Sequence, residues 1–169
     1  MRGRALLLLG LAASLAAQER TPGLALELPA PERLAEEGPL VRSRGLLDPP
    51  SLATLVTSGF PARLRFRAEL WAEGRLVDEL QRAVVWDIVV RAPGGSPRFE
   101  VIRRIGTQPV VVGTYPRFED AAAAAARPVR VPLRAPDDGR AHYYVASVEV
   151  QALSVSDLDE VNRWLRGEV

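Results

Sequence analysis

Residues able to do acid, base or metal chemistry are few and scattered in this chain. Asp87 interrupts the apolar run VVWDIVV, and Glu100 follows in RFEVIRR. Two such carboxylates could act as acid and base of an envelope hydrolase or carbohydrate-active protein, if they converged in three dimensions. Histidine occurs once, at His142 beside Tyr143 and Tyr144. A lone imidazole cannot make a histidine-rich metal site, and a surface position at a strand end accounts for it. Asp137-Asp138 reads as a turn, since calcium there would need further oxygen ligands from distant loops. Gly94-Gly95 has no lysine and no helix after it, which excludes a phosphate loop. What stands out instead is a row: Arg63, Arg65 and Arg67, spaced two apart, with Trp71 at the end of the same face. That spacing projects guanidinium groups from one side of a strand toward an acidic partner protein or an anionic envelope polymer. Arginine and tryptophan are enriched at binding hot spots, although exposed strand faces are commonly charged without any partner.

The row sits in ARLRFRAELWAEGRLV, where Leu64, Phe66, Ala68 and Leu70 alternate with the arginines, Glu69 and Trp71. A period of two over that length predicts a strand with one dry and one wet face. RAVVWDIVVR follows as a strand apolar on both sides apart from Asp87, hence central and covered on both faces. Their apolar faces do not match in one register, which calls for a bulge near Leu80 to Arg82. APGGSP is a loop. RFEVIRRIG and QPVVVGTYP are two more strands, turning at Gly106 to Pro109. Leu24, Leu26 and Leu28 give an opening strand ended by Pro29 and Pro31, and Pro39-Leu40-Val41 is a second short apolar run. PPSLATLVTSG is a short helix with proline in its first turn, Gly59 as its stop and Leu52, Leu55 and Val56 on one face. RFEDAAAAAA is a second helix ended by Pro128. Residues 128–133 and 140–152 read as strands joined in a hairpin through Ala135-Pro136-Asp137-Asp138-Gly139. These expectations amount to a mainly β chain: an antiparallel β-sandwich or curled sheet of about seven strands with short helices.

The N-terminus, MRGRALLLLGLAASLAAQER, sets Arg2 and Arg4 before a short apolar run and small residues, the layout of a secretory signal peptide cleaved after Ala16 or Ala17. The run is well short of the ~20 apolar residues a membrane-crossing helix needs. The expected organisation is a signal peptide at 1–17, a Pro/Gly-rich segment at 18–45 with a possible first strand, and a β-rich domain at 46–169. The mature protein is then periplasmic or secreted and lacks a membrane anchor. The chain has no cysteine, so thiol chemistry and disulfides are excluded and packing alone must stabilise it. All 22 basic residues are arginine, against 21 acidic ones. That balance gives no long-range attraction to nucleic acid.

LSVSDLDEVNRWLRGEV closes the chain as an amphipathic helix. Ser154 to Asp157 supply a cap, and Leu153 with Leu158 a hydrophobic staple. Asp157, Asp159 and Glu160 lie in the first turns, Arg163 and Arg166 in the last, as the helix dipole favours. Leu158, Val161 and Leu165 form the apolar stripe with Trp164 at its margin. Such a helix most simply docks on its own sheet; otherwise those four residues are the contacts of a presented partner-binding helix.

GFPARLRFRAELW, VVWDIVV, YPRFEDAAAA and above all SDLDEVNRWLRGE resemble the exported bacterial proteins grouped as domain of unknown function 4390, over roughly Leu46 to Glu168. The resemblance implies a fold and an export route, and it assigns no reaction, cofactor or catalytic residue. Taken together, the expectation is a non-enzymatic, cofactor-free binding or accessory protein of the cell envelope that contacts another envelope protein. An envelope hydrolase using Asp87 and Glu100 is the alternative.

Overall fold

The structure, a computed structural model, describes residues 22–94, 96–153 and Arg163. The expected signal segment 1–17 lies outside the described residues. So do Asp157, Leu158, Asp159, Glu160, Val161, Trp164 and Leu165 of the expected terminal helix. Arg163 is helical and exposed.

The strands are β1 (Gly23–Glu27), β2 (Leu40–Arg44), β3 (Ala62–Ala72), β4 (Glu79–Arg91), β5 (Phe99–Ile105), β6 (Gln108–Tyr115), β7 (Val129–Arg130) and β8 (His142–Ala152). Two helices accompany them, α1 (Pro50–Thr57) and α2 (Phe118–Ala125). A five-stranded antiparallel sheet has the order β6-β5-β4-β3-β8, and a three-stranded one the order β1-β2-β7. The smaller sheet packs on one face of the larger, in a sandwich.

Alternation along β3 dictates this arrangement. Ala62, Leu64, Phe66, Ala68, Leu70 and Ala72 are all buried. They share the inner face with Trp86, Ile88 and Val90 of β4, Phe99 and Val101 of β5, and Val41 and Val129 from the small sheet. Phe66 and Trp86 are cross-strand partners whose rings stack in parallel at 5.0 Å. The alanine run of α2 lets that helix lie close to the sheet, with Ala121, Ala124 and Ala125 buried. In α1, Val56 is fully buried but Leu55 is 36% exposed, so the expected apolar face is narrower than its spacing implied.

The expected bulge is present: Leu70 faces Arg82 and Trp71 faces Leu80, leaving Gln81 as the extra residue. The β5–β6 turn is tighter than expected, with Gln108 and Pro109 already paired in β6. Gly106 makes it possible at φ 71°. The expected hairpin is absent. Segments 128–133 and 140–152 do not form a hairpin, because β7 pairs with β2 in the small sheet while β8 pairs with β3 in the large one. Pro128 and Pro132 bracket β7 and hold it to two residues, and the chain after it crosses between sheets. β1 and β2, which precede residue 46, form the small sheet with β7.

Candidate functional site

β3 carries the arginine row on the sheet's outer face, away from the small sheet. Its members are engaged with neighbours. Arg63 donates from Nε to Asp87 Oδ1 at 2.9 Å, and Arg104 from Nη2 to Asp87 Oδ2 at 3.1 Å. Asp87 is only 2% exposed, so these guanidinium groups are what makes its burial tolerable. Arg67 bonds Glu69, which also accepts from Trp71 Nε1 at 2.8 Å. The Arg67 bond, then the indole, holds the Glu69 carboxyl below its ordinary pKa. Arg65 is exposed and makes no ion pair among the described residues. The row is thus mostly a self-satisfied charged surface.

Asp87 and Glu100 do not form an acid–base site. Both lie on the outer face, but Glu100 stands opposite Arg91, four residues beyond Asp87 along β4. That is roughly 13 Å along the strand, against the ~6.5–9.5 Å between paired carboxylates in inverting glycosidases. Glu100 is bonded to Arg91 at 2.9 Å. Among the described residues no group of three His, Asp or Glu side chains could hold a metal ion.

A concave site among the described residues lies elsewhere. A cleft of about 760 Å³ opens between β1, the short helical turn after it and the start of β8. Leu26, Leu28, Pro31 and Leu34 wall one side, and Pro136, Arg140, His142, Tyr143 and Tyr144 the other. Glu32, Ala35, Ala135 and Asp137 complete its lining, and the turn after Asp137 bends at Gly139 with φ 73°. Polar groups around it are fixed by neighbours. Tyr144 donates to the Leu133 carbonyl at 3.1 Å, and Tyr143 to Asp78 at 2.8 Å. The Asp78 bond raises the Tyr143 pKa, and burial raises that of Tyr144. Arg140 reaches Glu79 at 3.1 Å. Tyr143 also stacks on Trp71 at 6.4 Å, which ties the tryptophan at the end of the arginine row to the cleft wall.

His142 differs from these. Its side chain is 6% exposed, and its buried Nε2 has no hydrogen-bond partner, the Asp138 carboxylate being 3.7 Å away. The expectation of a surface histidine is therefore corrected. His142 is in phase with inward-facing Tyr144 and so belongs to the inner face, a signal the sequence carried in its alternation. His142 lines the cleft, while its Nε2 is buried beside the Asp138 carboxylate.

Among the described residues, β8 also leaves one edge of the large sheet without a strand partner. Its pairing with β3 runs through eleven successive residues with no shift in register, and it contains no proline and one charge, Glu149. The opposite edge is guarded: β6 carries Pro109, and a bulge leaves Val112 unpaired. Tyr143 and Tyr144 point to opposite faces of the sheet, so the cleft wraps the unguarded edge at its beginning. Comparisons with protein-family models, curated proteins and solved structures find no match to this chain.

Proposed function

We propose that this chain is an exported, non-enzymatic binding or accessory module of the cell envelope, which takes an extended segment of another envelope protein along the β8 edge and into the His142 cleft. The observation that carries this reading is the cleft itself: Leu26, Leu28, Pro31 and Leu34 stand with the fixed tyrosines and His142 at the start of a strand edge that no described strand pairs with. Strand addition uses such edges, main-chain hydrogen bonds giving affinity and adjoining pockets giving specificity. Export is supported by the layout of residues 1–17, and no described helix is long and apolar enough to cross a membrane. An anionic envelope polymer on the arginine row has weaker support, since Arg63 and Arg67 are held by Asp87 and Glu69.

The test is a photoreactive residue at Leu28, which lines the cleft and is 54% exposed, with the same residue at Val110 on β6 as control. In the native host, Leu28 should crosslink one envelope protein that Val110 does not. That protein, once purified, should bind the domain and bind Leu28→Asp at least about tenfold more weakly, the loss of roughly 1.4 kcal/mol. Equal labelling from both positions would overturn the reading.

A further inference from the structure

Val89 and Ile102 are each only 1% exposed, yet both stand on the face of the large sheet turned away from the small sheet. They are cross-strand partners, and Val89 also faces Arg63. With Leu153, 6% exposed, they make a hydrophobic cluster separate from the main core. Charged neighbours share this shelter: Asp87 is 2% exposed, and the Arg63, Arg104, Arg91 and Glu100 side chains lie between 21% and 24%. The described elements do not supply the cover. Val56 of α1, Ala121 and Ala124 of α2, and Val41 and Val129 of the small sheet all belong to the core on the other face.

We infer that the segment 154–169 packs as a helix across this outer face, seating Leu158, Val161 and Leu165 on Val89, Ile102 and Leu153. The chain is already in place to do so: Leu153 is in the cluster, and its N–H donates to the Pro61 carbonyl at 2.8 Å, at the entry to β3. Arg163 is helical and exposed, as the side opposite that stripe requires. Charge is complementary, because Asp157, Asp159 and Glu160 would run beside Arg63, Arg65 and Arg104. The N-terminal segment is a poorer occupant, since it leads into β1 in the small sheet on the opposite side. The helix then closes a third layer and covers part of the arginine row. Partners are left with the β8 edge and cleft.

The chain has no cysteine, so two can be introduced cleanly. In the full chain, Ser147→Cys on the exposed outer side of β8 and Asn162→Cys are spin-labelled and their separation is measured. Docking gives one narrow distance distribution. Adding Leu158→Asp and Leu165→Asp should broaden it while the sheet's circular dichroism persists. A broad distribution in the parent protein overturns the inference, even if the aspartate variant fails to fold. A narrow one unmoved by the two aspartates in a folded protein also overturns it, because the proposed stripe would not be what docks.

Discussion

Asp87 shows how a single residue sets the character of the outer face. A carboxylate in the middle of a covered strand is costly unless paired, and Arg63 and Arg104 pair both of its oxygens. Asp87→Ala takes from Arg63 and Arg104 the buried carboxylate that both bond, and it should destabilise the fold by about 3 kcal/mol in urea unfolding. A loss below ~1 kcal/mol would mean that the triad behaves as a surface ion pair. Glu69 gives a pH-dependent prediction. Its carboxyl is held below the ordinary value of 4.5 by Arg67 and Trp71, so the folded state binds a proton less readily than the unfolded one. Its contribution is present above the unfolded pKa and is lost as pH falls through the lowered folded value. Stability of Glu69→Gln should therefore fall less steeply than wild type below pH 4.5. Coincident acid limbs would contradict the assignment. At this scale the arginine row was visible in the sequence, because a period of two needs no tertiary information. Its partners were not, since Asp87 and Arg104 reach it only through strand order. His142 was misplaced for a related reason: a turn nearby suggested exposure, whereas the alternation of β8 turns its side chain inward.

Among the elements, β3, β4, β5, β6 and both helices follow from local pattern: alternation, a continuous apolar run, proline punctuation and an alanine tract. Even the bulge at Gln81 was legible, because the two apolar faces could not be matched without it. The β7–β8 hairpin was not a sound expectation, since Pro-Asp-Asp-Gly reports only that the chain turns there and says nothing of which sheet each flank joins. The crossing between sheets depends on close backbone approach at Gly38. A β-carbon there would stand 1.8 Å from the Val131 carbonyl oxygen and 2.8 Å from the Leu133 nitrogen, neither of which is a movable side chain. Gly38→Ala should therefore cost about 1 to 3 kcal/mol by overpacking, measured by chemical denaturation. An unchanged midpoint would show that β2 and the crossing segment can separate freely. Gly59, with open space around its β-carbon position, should respond only through its φ of 95°.

For the whole molecule, the pattern of protection is asymmetric. One edge of the large sheet carries a proline and a bulge, the inner face carries the small sheet, and the outer face carries charge pairs and a sheltered apolar cluster. Among the described residues the β8 edge carries none of these guards, and the cleft with His142 opens beside it. A fold class of this kind was available from strand count and loop length, while the cleft was not, since it joins β1, residues 135–137 and the first residues of β8 across more than a hundred positions of chain. The central claim, that an extended peptide binds along β8 into that cleft, is tested most directly by selecting a display library of random peptides on the immobilised domain and assaying the enriched peptides against wild type and Leu28→Asp. The account predicts enrichment of extended, β-branched and apolar sequences whose affinity falls at least about tenfold on Leu28→Asp, with the β8 amides gaining protection from exchange in the complex. No enrichment, or binding indifferent to Leu28→Asp and to the β8 amides, would contradict it.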